Sequence, residues 1–323
     1  MRKICIMHQA SIGDTLIATP VYRAVKETYP QCKTVVITSY AGYELLYKNP
    51  YIDVLMPYKK GDKIFPIIKA MWRADAALIL DYRYRNALYA FLAMIPKRIG
   101  YGKDFINVKV NNSDPHEFEV LKYLRLAEQI GAYTDNLTLI KPHISSEEIE
   151  HVNKLYNEAK GNNNRLIVIA PYSLAKIKDW KPAKYYEIIE RLKSANIVSV
   201  ILGGKEQTEL AAKDFPNAVN LAGKTNLRES AEFIAKADLM ICGCTSMLHF
   251  CATTDTPSIA IYGPTLPDKW APRKNCTVIT HRLDCSPCYC IEGKTPCQSI
   301  RCLNDISIDE VWTAVKNTLH LGE

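Results

Sequence analysis

The start of the chain decides the fold, because residues 2–38 read RKICIMHQASIGDTLIATPVYRAVKETYPQCKTVVIT. Two short apolar runs, Ile4–Met7 and Thr34–Ile37, have the composition of buried parallel strands. Between them, Thr15–Tyr29 carries apolar residues at helical spacing and is closed by Pro30. A strand, a helix and a strand in this order form a βαβ unit, which builds an open α/β sheet.

The same rhythm continues after this unit and restarts in the second half of the chain. The further predicted elements are the strands Ala77–Leu80, Leu166–Ala170, Val198–Leu202, Leu239–Cys242 and Ser258–Tyr262, and the helices Lys184–Ser194 and Gln207–Lys213. A charged helix, Ser145–Lys160, separates the two series and is followed by a turn-prone Gly-Asn-Asn-Asn run. We therefore predict two Rossmann-like, doubly wound domains, residues 1–150 and 151–323, with a cleft between them. We expect the last helix, Ser307–Leu319, to pack back on the first domain.

Composition sets the class of protein. The 323 residues are 48% hydrophobic and 23% charged, which is typical of a soluble globular protein. Because the sequence has no bilayer-length apolar segment and no signal peptide, we expect a cytoplasmic location. The net charge of +7 has two interpretations, spare surface lysines or an anionic partner such as phosphates, acidic sugars or a membrane face. No basic run interleaved with aromatic residues occurs, so nucleic acid is not a predicted partner.

The loop after the first strand holds the first candidate site. Gly13 permits a tight turn there, and Asp14 lies near the N-terminus of the following helix, where a negative charge is favoured. Asp14 is then either a helix cap or an ionised carboxylate that accepts a proton at the ligand-binding edge of the sheet. No Gly-x-Gly-x-x-Gly follows a predicted strand, which argues against a dehydrogenase.

The second half offers further candidates at the ends of its strands. Ser173 and Lys178 follow Leu166–Ala170 and could hold a diphosphate, although a lone lysine is more often a solvated surface charge. Glu206 follows a Gly-Gly turn and could accept hydrogen bonds from ribose hydroxyls. A third loop ends in Thr245, Ser246 and His249; the histidine is equally consistent with a satisfied core residue.

Together these segments resemble glycosyltransferase family 9, the heptosyltransferases. The resemblance covers nearly the whole chain and is carried by Ile12–Pro20 with the helix after it, Lys178-Asp-Trp180, Asn220–Thr225, the run to Ala237-Asp238, and Pro257–Thr265. It implies a GT-B fold and an inverting transfer of heptose from ADP-heptose onto a lipopolysaccharide core or related surface glycan. No cofactor is implied for catalysis, and no Asp-x-Asp pair occurs in the chain.

The resemblance also assigns roles to the candidate residues. Asp14 would deprotonate the acceptor hydroxyl, while Lys178, with Ser173, would neutralise the donor diphosphate. The remaining donor-binding residues would be Gly13, Glu206, Thr245, Ser246 and His249. One departure matters: Cys244-Thr245-Ser246 stands where the family usually has Asp-Thr-Gly. The alternative is therefore a non-catalytic or altered-specificity member of the same fold that binds another sugar nucleotide.

The N-terminal domain would bind the acceptor, a lipid-linked molecule or an oligosaccharide. Arg83 and Arg85, after the strand that ends at Asp81, and Lys103, after Gly102, are candidate contacts for its acidic groups. Each is also consistent with a solvated surface charge. The positive charge of the chain fits peripheral work at an anionic inner membrane.

A cysteine-rich loop, residues 285–302, contains a second candidate site. Cys285 and Cys288 form a C-x2-C pair, and Cys297 and Cys302 follow, which is the ligand count of a tetrahedral Zn or Fe site. A structural metal and a set of reduced thiols are both consistent with this pattern. With four thiolate ligands, Cys290 would be spare.

Overall fold

The computed structural model describes residues 1–111, 114, 116–288, 297 and 299–322. The chain divides into two compact units, Met1–His143 and Ile144–Glu323, so the division precedes the charged helix. Within the described residues, every helix is too short or too polar to cross a membrane.

The first unit is built on a six-stranded parallel sheet with the strand order β3-β2-β1-β4-β5-β6. The central strand β1 is buried, and its Cys5 pairs with Val35 of β2 and Ala77 of β4. Long apolar side chains on both faces of these strands explain why they occupy the centre. The strands are β1 (Lys3–His8), β2 (Lys33–Thr38), β3 (Val54–Pro57), β4 (Ala76–Ile79), β5 (Lys97–Gly100) and β6 (Val108–Lys109).

Helices cover both faces of this sheet. The helices α4 and α5 pack on the face that carries Cys5 and Met7, and α2 contacts α6. The single helix predicted over Thr15–Tyr29 is wrong, because the chain forms two helices that meet at Ala18. Pro20 has no N–H to donate to the preceding turn, so a new helix begins there. The helices are α1 (Ile12–Ile17), α2 (Thr19–Thr28), α3 (Tyr40–Leu46), α4 (Phe65–Met71), α5 (Tyr84–Leu92) and α6 (Glu119–Glu128).

The second unit repeats the plan. Its parallel sheet has the order β12-β11-β10-β7-β8-β9, which is the order of the first sheet when strands are counted from β7. The predicted α/β class with two doubly wound sheets is therefore confirmed. The strands are β7 (Arg165–Ala170), β8 (Ile197–Ile201), β9 (Val219–Asn220), β10 (Leu239–Gly243), β11 (Ser258–Tyr262) and β12 (Cys276–Thr280).

The first and the last helix of the second unit lie where the sequence predicted them along the chain, but the last one packs elsewhere. The charged helix α7 packs on α10, and a capping box at Ser145 and Glu148 begins it. The expectation that the last helix packs on the first domain is wrong, because Val311 and Val315 of α14 lie in the second core. The helices are α7 (Ser146–Lys160), α8 (Pro182–Ser194), α9 (Thr208–Asp214), α10 (Leu227–Lys236), α11 (Ser246–Cys251), α12 (Pro267–Trp270), α13 (Arg301–Asn304) and α14 (Ile308–Leu319).

Candidate functional site

In both sheets, most of the candidate residues follow the two strands at which the strand order reverses, and Lys103 and Glu206 follow a neighbouring strand. These strands are β1 and β4 in the first sheet, and β7 and β10 in the second. Loops at the carboxyl ends of such a pair diverge to opposite faces of the sheet and leave a crevice, where ligands of doubly wound folds bind. Asp14 and Arg83 therefore flank one reversal point, and Lys178 and His249 flank the other.

In the first unit, Asp14 is held in the first turn of α1 by Ser11. The Ser11 hydroxyl donates to Asp14 Oδ2 at 2.7 Å, and the same Oγ accepts from the backbone N–H of Asp14 at 3.5 Å. Burial raises the pKa of the Asp14 carboxyl, and its effect outweighs that of the Ser11 hydrogen bond, which lowers it. Ser11, not Asp14, is thus the helix cap, and its hydroxyl holds the Asp14 carboxylate through Oδ2.

A buried ion pair that sequence reasoning missed lies beside this carboxylate. Lys122 Nζ and Glu119 Oε1 of α6 are 2.8 Å apart, and both side chains are almost fully buried. The ammonium also lies over the rings of Tyr82 and Tyr101, 5.4 and 5.6 Å from their centroids. The charge of Glu119 raises the pKa of Asp14, whereas Lys122 lowers it, so the pair modulates the basicity of the carboxylate. The sequence signal was weak, since an i, i+3 ion pair usually marks a solvated helix face.

Asp81 organises the loop after β4. Its carboxylate accepts from the Gln9 N–H at 2.9 Å and from Asn86 Nδ2 at 2.8 Å, which ties this loop to the end of β1. It also accepts from the N–H of Arg83 at 3.1 Å and pairs with the Arg83 guanidinium at 3.6 Å. Arg83 is exposed at the end of this loop, and Arg85 is half-buried in the first turn of α5.

His8 and Lys103 complete the first unit's edge. His8, at the end of β1, is buried against Tyr123, with ring centroids 5.0 Å apart. Burial and the nearby Arg83 lower its pKa to about 3, so the imidazole is neutral at physiological pH. Lys103 lies in an exposed loop after β5, and the described residues provide no hydrogen bond or ion pair that joins it to Asp14.

In the second unit, the loop after β7 is fixed on both sides of Lys178. The Ser173 N–H donates to Asp179 Oδ1 at 2.7 Å, and the Ser173 hydroxyl donates to the Ala175 carbonyl at 2.8 Å. Trp180 is buried, packs edge-on against Tyr185 at 5.0 Å, and donates to the Ile306 carbonyl at 3.3 Å. Lys178 thus ends a 3-10 turn, Lys176–Lys178, whose exit is anchored in the core.

The loop after β10 comes close to this lysine. A Cβ on Gly243 would lie 3.2 Å from the Lys178 carbonyl oxygen, so glycine permits the approach of the two loops. Thr245 caps α11 by accepting from the Met247 N–H at 3.2 Å, and Ser246 begins the helix. His249 is buried; burial and the charge of Lys178 lower its pKa to about 4. The predicted residues Lys178, Thr245 and His249 are therefore brought together.

Glu206 lies at the end of the neighbouring strand β8. It is exposed in the 3-10 turn Lys205–Gln207, and its carboxylate folds back over Gly204. Opposite this turn, Gly223 adopts a φ of +76°, and a Cβ there would lie 2.8 Å from Lys205 Cα. The Gly223 N–H donates to the Gly203 carbonyl at 2.9 Å, which closes the turn. A ligand at the carboxyl edge could therefore meet an exposed carboxylate on a rigid turn.

The cysteine-rich loop does not provide the predicted metal site among the described residues. No three of their His, Cys, Asp and Glu side chains are arranged to hold a metal ion. Cys285 is exposed and Cys302 buried; burial, then the nearby Cys288, Cys297 and Cys285, raise the pKa of Cys302. A hydrogen bond from the Ile300 N–H to Cys297 Sγ, 3.3 Å long, lowers the pKa of that thiol. The donors are soft enough for Zn or Fe, but among the described residues they form no group that could hold a metal ion, and Cys290 lies outside those residues.

Comparisons with known proteins agree with the fold. The model of glycosyltransferase family 9 (heptosyltransferase) matches residues 65–298. Lipooligosaccharide heptosyltransferase 2 of Haemophilus influenzae is 23% identical, over 87% of this chain and 89% of its own length.

Two solved structures are similar along almost the full length. A family 9 glycosyltransferase from Veillonella parvula has a TM-score of 0.85 at 17% identity, over 99% of this chain and 98% of its own. The ADP-heptose lps heptosyltransferase II of E. coli has a TM-score of 0.80 at 22% identity, over 98% of each chain. At these identities the structural likeness shows the fold, and it confirms the predicted GT-B type.

Proposed function

Because this chain belongs to glycosyltransferase family 9, the heptosyltransferase family, we propose that it transfers heptose from ADP-heptose to a lipopolysaccharide core or a related surface glycan. The observation that supports this most is that each unit has a candidate site at the equivalent strand end. One holds the carboxylate of Asp14, and the other holds the ammonium of Lys178 beside His249. A base and an anion-binding cation are the two groups that glycosyl transfer from a nucleoside diphosphate needs.

The second unit, in this proposal, binds the donor. Lys178 neutralises the diphosphate, Ser173 helps to shape the loop that holds it, and the small residues Thr245 and Ser246 leave room for it. His249, uncharged at neutral pH because its pKa is lowered to about 4, offers a hydrogen bond without adding a second cation. Glu206 accepts hydrogen bonds from the ribose hydroxyls. Gly13, in the first unit, allows the donor sugar close to the backbone next to Asp14.

The reaction is a single inverting displacement. Asp14 accepts the proton of the acceptor hydroxyl as its oxygen bonds to the anomeric carbon. The bond from that carbon to the diphosphate oxygen breaks at the same time, and ADP leaves with the electron pair. Lys178 stabilises the negative charge that grows on ADP. A raised pKa makes the Asp14 carboxylate a stronger base than an ordinary aspartate, which favours the proton transfer.

The acceptor binds the first unit. That unit, Met1–His143, has 20 Lys and Arg against 13 Asp and Glu, so it carries the whole net charge of +7. Arg83, Arg85 and Lys103 are the proposed contacts for the acidic groups of the acceptor. A cytoplasmic location at the inner membrane accords with a lipid-linked acceptor, and we propose it on that basis.

The alternative, a non-catalytic or altered-donor member of the family, rests on Cys244. This half-buried thiol precedes the Thr245 cap and replaces the aspartate of the family pattern. The family match and the heptosyltransferase relatives favour the heptosyl transfer. Titration calorimetry with ADP, ADP-heptose, UDP and GDP tests the choice. Tighter binding of UDP or GDP would overturn the assignment of ADP-heptose as the donor and would leave the proposed mechanism unchanged.

Asp14→Asn tests the mechanism. We expect turnover of ADP-heptose with a heptose-deficient core oligosaccharide to fall by roughly 10³-fold, because the base is lost. Calorimetric affinity for ADP should stay unchanged. Asp135→Asn, an exposed position in the same unit, is the matched control and should retain full activity. Equal activity of the Asp14 variant and the control would refute the assignment of the base.

A further inference from the structure

Positive charge is concentrated in one part of the chain. Residues 59–105 contain ten Lys and Arg and four Asp, so this segment of 47 residues carries +6 of the net +7. It comprises α4, β4, α5, β5 and the loops around them. Charge this concentrated points to an anionic partner that contacts this segment.

Exposed apolar side chains are concentrated in the same segment. Among the described residues, 17 large apolar side chains are exposed, and nine of them belong to residues 59–105. Phe65 is 73% exposed, Met94 65%, and Trp72 48%. Monomeric soluble proteins rarely leave such side chains together on one surface, so they mark an interaction site.

These side chains belong to one face of the first unit. Ile67 and Met71 of α4, and Ala87 and Ala90 of α5, pack on the sheet, which turns the opposite sides of both helices outward. We call this outward side the α4–α5 surface; its apolar members are Ile64, Phe65, Trp72, Tyr84, Phe91, Leu92, Met94 and Phe105, and its cations are Lys60, Lys63, Lys69, Arg73 and Arg98.

The surface is continuous between the two helices. The Arg73 N–H at the end of α4 donates to the Ala93 carbonyl at the end of α5, at 2.8 Å. Phe105 packs on Phe91 with centroids 5.5 Å apart, and the Arg98 guanidinium lies 5.4 Å over the Phe91 ring. The rings of Phe91 and Phe105 and the Arg98 guanidinium therefore form one cluster on the surface.

We propose that the α4–α5 surface docks on an anionic lipid bilayer. Lys60, Lys63 and Lys69 would contact the lipid phosphates, while Phe65 and Trp72 would enter the interface between headgroups and acyl chains. This docking proposal rests on the proposed function in one respect, namely that the acceptor of that reaction is carried by a membrane lipid. Both helices begin at the carboxyl edge of the sheet, the edge that holds Asp14, and end at the opposite edge, where Trp72 and Leu92 lie.

Two other occupants fit less well. A second copy of the chain, related by a two-fold axis, would place this cationic surface against itself, which is repulsive. Nucleic acid would satisfy the cations and stack on the aromatic rings, but it gives no role to exposed aliphatic side chains such as Ile64, Leu92 and Met94. A bilayer satisfies both kinds of side chain.

Vesicle co-sedimentation tests the proposal with the full chain. We expect binding to phosphatidylcholine vesicles that contain roughly one third phosphatidylglycerol, and little binding to pure phosphatidylcholine. Lys60→Glu/Lys63→Glu should lower the partition coefficient by at least roughly tenfold, since about fivefold is expected for each lysine near such a membrane. The matched control, Lys193→Glu/Lys274→Glu, makes the same charge change at exposed positions of the second unit and should bind like the wild type.

The apolar part is tested separately. Phe65→Ser/Trp72→Ser should lower binding at high salt, where electrostatic attraction is screened. Tyr133→Ser removes an aromatic ring that is 65% exposed elsewhere in the first unit and should have no effect. Equal binding to neutral vesicles, equal loss in the control variants, absence of vesicle binding, or formation of a dimer or a nucleic-acid complex through these residues would each overturn the proposal. The affinity for ADP, measured by calorimetry, should be unchanged in all variants. If the donor assignment is wrong, the calorimetry shows it, whereas the vesicle co-sedimentation tests only the docking.

Discussion

The two units share one strand order and differ in what their surfaces carry. The first has an excess of seven positive charges and 14 of the 17 exposed large apolar side chains found among the described residues. The second has 21 Lys and Arg against 21 Asp and Glu, and the other three exposed apolar side chains. The same topology therefore supports two chemistries, because the interior strands determine the fold while loops and outer helix faces determine the ligand.

The largest expected effect concerns the tryptophans. Trp180→Ala should cost about 3–5 kcal/mol of unfolding free energy, because a buried ring and its hydrogen bond to the Ile306 carbonyl are lost. Trp72→Ala, on the exposed α4–α5 surface, should change it by less than about 0.5 kcal/mol. Urea unfolding measures both; similar losses would mean that Trp72 stabilises the first core and is no free surface residue.

The lysine beside His249 gives the next effect. Lys178→Ala should lower turnover roughly 10²-fold, or about 3 kcal/mol, because the charge that stabilises leaving ADP is removed. Lys176→Ala changes an exposed lysine two residues earlier and should leave turnover intact. Steady-state kinetics with varied donor and varied acceptor separate the roles. A change confined to the KM for the acceptor would mean that Lys178 contacts the acceptor and not the donor. It would contradict the assignment of the donor to the second unit and of the acceptor to the first.

Glu148 provides a smaller, pH-dependent effect in the second unit. Burial opposes its ionisation, but hydrogen bonds from the Ser145 N–H, Arg228 and Asn226 outweigh burial and lower its pKa to about 2. A carboxylate with a lowered pKa stabilises the folded state above its unfolded value of 4.5 and loses this contribution as the pH falls towards 2.

Glu148→Gln should therefore cost about 1–2 kcal/mol at pH 7, and much less near pH 3. Chemical unfolding at both pH values measures the difference. Glu147→Gln, at the exposed neighbouring position, serves as the control and should be neutral at both. An equal loss of unfolding free energy at both pH values would show that Glu148 stabilises the fold through its shape and not through its charge.

The smallest expected effect is in the first unit, where the pH dependence of stability has the opposite sign to that of Glu148. Because burial raises the pKa of Asp14, the folded state binds its proton more tightly than the unfolded state does, so stability falls as the pH rises above 3.8. Asp14→Asn should thus slightly raise the melting temperature at pH 7 while lowering turnover roughly 10³-fold, and the gain in melting temperature should vanish near pH 3. A lower melting temperature at pH 7 would indicate that the carboxylate is a structural group.

The buried strands were predictable, and the edge strands were not. The predicted runs at β1, β2, β7 and β10 match the structure within one or two residues, because buried parallel strands need unbroken apolar side chains. In contrast, β5 begins with two cations and β9 has only two residues, so neither produces a periodic signal.

The site was predictable only in part, for a similar reason. Asp14, Lys178 and His249 follow strands at fixed positions, and their neighbourhood can be deduced from topology. The pair of Glu119 and Lys122 lies on a helix far along the chain, and its approach to Asp14 depends on how α6 packs. Helical periodicity predicts a buried position for Leu121 and for Lys122 almost equally well. In the structure Leu121 is 41% exposed and Lys122 is buried. The rotation of a helix about its own axis decides which side chains face the core. This rotation depends on tertiary contacts, and the local sequence pattern does not determine it.

The unequal charge of the two units also affects how the molecule travels before any contact is made. A body with its excess charge in one part experiences a torque in the field of a charged surface, so it turns its first unit towards an anionic surface during diffusion. Collisions are then pre-oriented, and the association rate depends on ionic strength more steeply than the dissociation rate does.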